Sequence, residues 1–508
     1  MRRQIVAAAL CTSLAATALA ATGTSARAAL TPAPAPTEAP ETAPVEPTPR
    51  QALATAVDVL SGQAPTDLRS GTTPDAAAAD ATLALRDLRV ALPRLTGSDR
   101  ERAEALLARP TDGRNDPYGD GYRARSKRDC TTTFCLHWVT RTEDAPPSRR
   151  WVARNRKVLT AVWRTEVGQL GYRAPRPDGR RGGSRKLDVY LKELGGQGLY
   201  GYCAPETRGG GRQAAGYCVL DDDFARSQFK APPADSLRVT AAHEFLHAVQ
   251  FGYDYLEDRW LLEATATWME ERFADGVNDN RRYLRSGQFG VPGRPLDSTV
   301  GLSAYGNWVF FEYLSERFGR AVVRRIWEQA GEAPSDGGTY SLDAVSRALP
   351  ESVALDAVFA DYAMALTTPA AGFPEGRAWG PASFASTATL GRDATRDATM
   401  TIKHLASRSY QWLPGGDLDS TTWQLRVSVD GPEATRSPTA GVVQVGSDGT
   451  TSRTRIDLDA EGIGSVTVPF NAVDTEAVHV VLGNASTRLR PDDDQRVQLS
   501  VDVVGPIG

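Results

Sequence analysis

Hydrophobic and polar positions change period several times along the chain. Residues 51–110 carry the spacing of amphipathic helices, as in ATLALRDLRVAL and DRERAEALLA, with GSD as the turn and N-cap between them. Between about 130 and 230 the pattern shifts to short apolar or alternating runs around one helical stretch. FCLHWVT, VARNRKVLTAVWRTEVGQLGY, KLDVYLKEL and GYCVL read as strand, helix, strand and strand, with glycine-rich surface loops RRGGS and RGGGR. From Asp235 to about Leu366 nearly everything reads as helix, including SAYGNWVFFEYLSERFG and LDAVFADYAMAL. From about 385 onward WQLRVSVDG, GVVQVGSDG, SVTVPF, AVHVVLGN and RVQLSVDVV alternate between turns, the rhythm of an all-β sandwich. The expected class is α+β: a small mixed β-sheet subdomain with a mainly helical subdomain over 116–380, then a C-terminal β-sandwich over 385–508.

The start of the chain sets the expected compartment. Arg2 and Arg3 precede a short apolar run from Ile5 to Ala21, and small residues follow, so residues 1–28 read as a cleaved signal peptide and the product as secreted and extracellular. Residues 29–50 are rich in proline, threonine and glutamate and read as a linker. The helical unit at 51–115 then occupies the place of a propeptide, or of an extension packed on the next domain. No later segment is long and apolar enough to span a bilayer, so no membrane contact is expected beyond the leader. A net charge of -4 gives no reason to expect nucleic acid. Four cysteines remain after Cys11 of the leader, and the sequence-local pairing, Cys130 with Cys135 and Cys203 with Cys218, closes the smallest loops.

The chemistry concentrates in HEFLHAVQFGYDYLEDRWLLEATATWMEE, which holds two of only five histidines. SLRVTAAHEFLHAVQF reads as a buried helix capped by Asp235 or Ser236 and ended by Gly252. His243 and His247, four apart, then project within about 40° of each other and can share one divalent ion. Glu244, about 100° round from His243, can address the ion's water without ligating it. Chance placement of five histidines and 62 acidic residues over 508 positions gives on the order of 0.006 such matches, so accident is a poor explanation. Catalytic zinc takes three protein ligands and keeps a position open. The third is expected from the next helix, RWLLEATATWMEERFAD, capped by Asp258 and closed by Gly276. There Glu263 sits among Trp260, Leu262 and Trp268, where an ionised carboxylate needs a cation. Glu257, Asp258 and Glu270 compete for the role, Glu270 being better placed to orient a histidine.

HEFLH followed by WLLEATATWMEE resembles the gluzincin superfamily of zinc metallopeptidases. The wider text over about 130–320 is similar to a group of secreted bacterial HExxH metalloproteases. The resemblance implies one catalytic Zn2+ on His243, His247 and Glu263, Glu244 as general base, Glu270 behind a ligand, and Tyr305 in SAYGNWVFFEYL as an oxyanion donor. The implied activity is peptide-bond hydrolysis by a metal-activated water, on a protein or peptide substrate. No GAMEN-like segment precedes the histidines, which points to an endopeptidase, and Thr267 stands where thermolysin-like enzymes carry an aspartate.

The competing reading is a catalytically inert secreted binding protein that retains a metallopeptidase fold, its β-sandwich attaching to a cell-surface polymer or protein. Lesser signals are Asp221, Asp222 and Asp223, able to take Ca2+ but more simply an exposed acidic loop, and Asp492, Asp493 and Asp494, read as a solvated loop. His137, His404 and His479 stand singly in strand-like text, where a core or surface histidine is the default.

Overall fold

The computed structural model describes residues 28–29, 47–62, 81–112, 121–206, 211–332, 341–487 and 493–505. The signal peptide and linker expected at 1–50 fall almost entirely outside the described residues.

The chain is an α+β protein. Its first sheet contains β2 (Lys127–Cys130), β3 (Phe134–Trp138), β4 (Leu187–Lys192), β5 (Gly201–Glu206) and β6 (Ala215–Asp221), in the order β2-β3-β4-β6-β5. Strands β3, β4 and β6 run parallel, while β2 and the edge strand β5 are antiparallel to their neighbours. Both faces are covered, which is why β4 is buried almost throughout. Alternation decides which side chain goes where. Leu187, Val189, Leu191, Cys218 and Leu220 enter the main core with the helices, whereas Tyr190, Tyr202, Tyr217 and Val219 face the N-terminal helices. Disulfides join Cys130 to Cys135 and Cys203 to Cys218.

Helices α1 (Pro49–Leu60), α2 (Ala81–Ala91) and α3 (Gly97–Leu106) close over that outer face. Gly97 of the GSD turn is already inside α3. Behind α3, Arg109 is 2% exposed and contacts Asp178, Asp188 and Glu206, each at 2.6 Å. Burial opposes the Arg109 charge, yet Glu206 and Asp188 hold its pKa well above the ordinary value. Gly182 of the RRGGS loop, at φ +59, lies against this cluster, where a Cβ would collide with Asp188 and Arg109. Gly183, at φ +91, is equally tight against Arg128, so that loop is close-packed at both glycines.

α4 (Arg149–Trp163) and α5 (Pro233–Asp254) back the sheet's inner face. α5 is longer than the predicted helix at both ends. Pro233 opens it, with no side-chain cap from Asp235 or Ser236, and burial of Phe251 and Tyr253 carries it past Gly252. α6 (Arg259–Ala274) follows, but the Asp258 carboxylate accepts from the Ser341 hydroxyl at 2.7 Å and does not cap the helix. The expectation of near-continuous helix to Leu366 fails at 275–302, which is a series of short turns. SAYGNWVFFEYLSERFG is broken after Gly306, and α7 begins at Trp308 and ends at Phe318. Gly287 and Gly306 touch backbone to backbone, so a side chain at either would clash with peptide groups. α8 (Ala321–Gly331), α9 (Ser341–Ala348) and α10 (Leu355–Thr367) complete the helical layer.

The tail forms two packed sheets. One is β1 (Ala28–Ala29), β8 (Thr395–Ile402), β15 (Gln495–Val504), β10 (Gln424–Asp430) and β13 (Ile463–Pro469), in that order. The other is β12 (Thr451–Arg455), β11 (Pro438–Gly446), β14 (Thr475–Asn484), β9 (Ala406–Pro414) and β7 (Ser386–Leu390). Their shared core includes Trp412, Val427, Val442, Val480 and Val501. The sandwich rests on α10, where Ala363 and Met364 meet Val443 and Val481 and Arg455 bridges to Asp361. Asp493 is not in a solvated loop as expected. It is buried and accepts from the Ser486 hydroxyl.

Candidate metal centre

α5 and α6 pack side by side, and the tight turn between them aligns their polar side chains at one point in an otherwise apolar interface. His243 and His247 lie one turn apart on α5, with ring centroids 4.8 Å apart. Glu263, fully buried on the second turn of α6, lies 3.2 Å from His243 Nε2 through one oxygen and 3.6 Å from His247 Nε2 through the other. Ligand atoms from these residues all fall within 4.8 Å of one another. His247 Nε2 and Glu263 Oε1 are buried and have no hydrogen-bond partner among the described residues. An imidazole nitrogen and a carboxylate oxygen facing each other unsatisfied are costly unless something binds between them. Two imidazoles and a carboxylate suit zinc.

The far side of each ring is held. His243 Nδ1 lies 2.7 Å from a Glu270 oxygen. His247 Nδ1 lies 2.7 Å from the Gln250 oxygen, whose amide nitrogen donates to Leu262 O and Thr265 Oγ1. Both contacts aim Nε2 at Glu263, the arrangement by which outer partners orient metal-binding histidines. Burial alone would raise the Glu263 pKa, but His247 and His243 bring it down to about 2. Burial would lower that of His243, but Glu263 and Glu270 hold it well above the ordinary value.

Glu244 lines a cavity of about 40 Å³ together with His243, Tyr200, Arg282, Tyr283 and Tyr305. Burial raises its pKa, against the pull of the two histidines. Its Oε2 accepts from the Thr82 hydroxyl at 3.2 Å, and that hydroxyl accepts from the Cys203 N–H at 2.9 Å. Tyr305 stacks parallel to His243, centroids 5.9 Å apart, with Tyr283 5.1 Å away.

The predicted ligands thus converge, with Glu270 beside His243 and Tyr305 at the cleft. Glu257 and Asp258 do not join them, and Thr267 is buried in α6. Gln250 was missed, although its spacing three after His247 on a helix was a readable signal. Thr82, Arg282 and Tyr283 had no local signal. The acidic run at 221–223 is not the exposed loop expected. Asp221 and Asp222 are buried, and Asp221 accepts from the backbone of Leu194, Gly195, Asp223 and Phe224, tying two turns together. Asp221 and Asp222 also come within ion-holding distance of Glu193. His137 is a buried partner of Asp188, and His404 pairs with Asp297.

No family model matches the chain, and no curated protein matches it. Among solved structures, the crystal structure of Aeromonas hydrophila PliG, a periplasmic lysozyme inhibitor of g-type lysozyme, aligns at 9% identity over 23% of this chain and 98% of that chain, with a TM-score of 0.16. So slight a likeness bears on neither fold nor function.

Proposed function

We propose that the chain is a secreted zinc-dependent peptidase, with His243, His247 and Glu263 as the metal ligands and Glu244 as general base. The observation that carries this reading is the Glu263 carboxylate set between the Nε2 atoms of two outward-braced histidines, at 3.2 and 3.6 Å. Zinc bound there supplies Lewis acidity and lowers the pKa of a coordinated water to about 7.

The protein's own groups do the rest. Glu244, which lines the cavity beside the ligand His243, accepts a proton on its carboxylate from the attacking water and delivers it to the leaving amine nitrogen. Its buried setting favours that role, because a carboxylate whose pKa is raised holds the proton between the two steps. Glu270 and Gln250 keep the ligand rings from turning. Tyr305, beside His243, is placed to donate to the oxyanion that forms on the substrate carbonyl. The two disulfides and the lack of any membrane-spanning helix among the described residues are compatible with an extracellular setting.

The test couples metal content to turnover. Purified chain is expected to carry one zinc and to cleave casein or a peptide library in a manner abolished by chelator and restored by zinc. Zinc bound with no cleavage, by the chain or by a form lacking the Thr82 contact to Glu244, would leave the inert binding protein as the better account.

A further inference from the structure

We infer that α2 is an internal plug that holds the cleft closed, with Thr82 as its latch on the general base. This rests on the peptidase reading above, since it assigns that site a latent state.

Strand β5 is the edge of its sheet, so one side of its backbone is open to a further partner. An extended peptide would bind there by using outward N–H and C=O groups of alternate residues. α2 takes two of those groups for itself, and Pro205 has no N–H to offer. The Cys203 N–H goes to Thr82 Oγ1 at 2.9 Å, and the Pro205 carbonyl, two residues on, accepts from Arg89 Nε at 2.9 Å. The same Thr82 hydroxyl donates to Glu244 Oε2, so one side chain in the first turn of α2 occupies both the open edge and the base. The residual cavity of about 40 Å³ has room for about three water molecules and none for a peptide.

The rest of the helix is fastened to the rim. Arg86 donates to the carbonyls of Tyr255, Leu256 and Glu257 in the turn between α5 and α6, at 2.9, 2.6 and 2.9 Å. Asp87 pairs with Arg259 at the start of α6. Arg86 and Arg259 are partly exposed, but Asp87 is buried and α2 also buries Leu83, Leu85 and Leu88, so the closed state is strongly favoured. The next segment is held by a buried ion cluster: Arg109, after α3, is locked among three buried carboxylates. Opening therefore moves α2, with α1 packed on it, while α3 and Arg109 stay seated. The extension is a tethered plug, part of the fold at one end and displaceable at the other.

The test uses the full chain and the variants Thr82→Val, Arg89→Ala and their double. In zinc-loaded protein, affinity for a hydroxamate-bearing peptide is measured. A closed cleft raises the apparent Kd by the reciprocal of its open population, so variants whose open population is about tenfold larger are expected to bind about tenfold more tightly than wild type. In metal-free protein, amide exchange at Cys203 is expected to speed up in each Thr82→Val form. Unchanged probe affinity and unchanged Cys203 exchange in the double variant overturn the latch, whatever the peptidase activity. Tighter probe binding with no peptide cleavage by any form upholds the latch and removes the peptidase reading instead. Melting curves matching wild type exclude misfolding, and Arg89→Ala alone serves if Thr82→Val does not fold.

Discussion

Glu270 Oε1 lies 2.7 Å from Nδ1 of His243, across the interface of α5 and α6, so that the nitrogen facing Glu263 is free to bind a metal. The contact fixes both the tilt and the tautomer of a ring that could otherwise rotate about its Cβ–Cγ bond. Glu270→Gln keeps the shape but replaces a charged acceptor with a neutral amide. Outer partners of this kind are worth about 10- to 100-fold in metal affinity, and a loss in that range is expected in competition with a fluorescent chelator. Equal affinity would reduce Glu270 to a packing residue.

Glu244→Gln separates binding from chemistry. Glu244 lies outside the ligand group, so the variant should hold zinc as tightly as wild type. Its amide cannot take a proton, and turnover should fall by about 10²- to 10⁴-fold, the usual weight of a general base. The measurement is peptide cleavage at matched zinc occupancy, in a form whose cleft is open. An unchanged rate would move the proton-transfer role elsewhere.

Metal removal should loosen the α5–α6 interface. Glu263 is fully buried, with one oxygen unpartnered, and a bound cation stabilises the folded state by mass action, about 2.7 kcal/mol at a hundredfold excess over Kd. The Tm of stripped protein is therefore expected to rise with added zinc, and Glu263→Ala should abolish that rise. A zinc-dependent Tm surviving in Glu263→Ala would place the ion somewhere else.

The sandwich should be acid-sensitive through one side chain. Burial in β14 lowers the His479 pKa from 6.5 to about 4, and Gln411 Nε2 lies 3.2 Å from its Nε2. Between those values the unfolded chain binds a proton that the native state refuses. Stability is thus fully present above about pH 6.5 and declines as pH falls toward 4, by at most about 1.4 kcal/mol per pH unit. Amide exchange at Val480 and Val501, in the sandwich core, reports unfolding of this domain. His479→Asn should flatten the decline between pH 6.5 and 4, and an identical pH profile would refute the assignment.

What could be read in advance follows from how local each signal is. His243, Glu244 and His247 sit within one helical turn and a half, so a spacing rule places them. Glu263 was recoverable because a lone acid among tryptophans and leucines needs a reason. Strands β4 and β6 and the tail announced themselves through short apolar and alternating runs. The plug did not: Thr82 and Glu244 are 162 positions apart, and an ordinary threonine in an amphipathic helix carries no mark of its partner. The turns at 275–302 were hidden for another reason. That segment is shaped by tertiary contacts such as the meeting of Gly287 with Gly306, which no periodicity encodes.

Arg109 belongs to the same hidden class and supports the strongest stability prediction. Its guanidinium reaches Asp188 from 79 positions away and also contacts Asp178 and Glu206, all of them nearly or fully buried. Arg109→Met preserves the stem and deletes the charge. Three carboxylates would then share a buried pocket with His137 at Asp188 and Arg181 at Glu206 as the remaining partners. Breaking a buried ion cluster from one side costs about 3–5 kcal/mol, because the acids must either stay charged without their partner or take up protons. Equilibrium denaturation at pH 7 should show that loss. A neutral effect at pH 7 would mean that α3 is held by its apolar face alone, and the tether on which the displaceable plug depends would have to be sought in Leu106 and Leu107 instead.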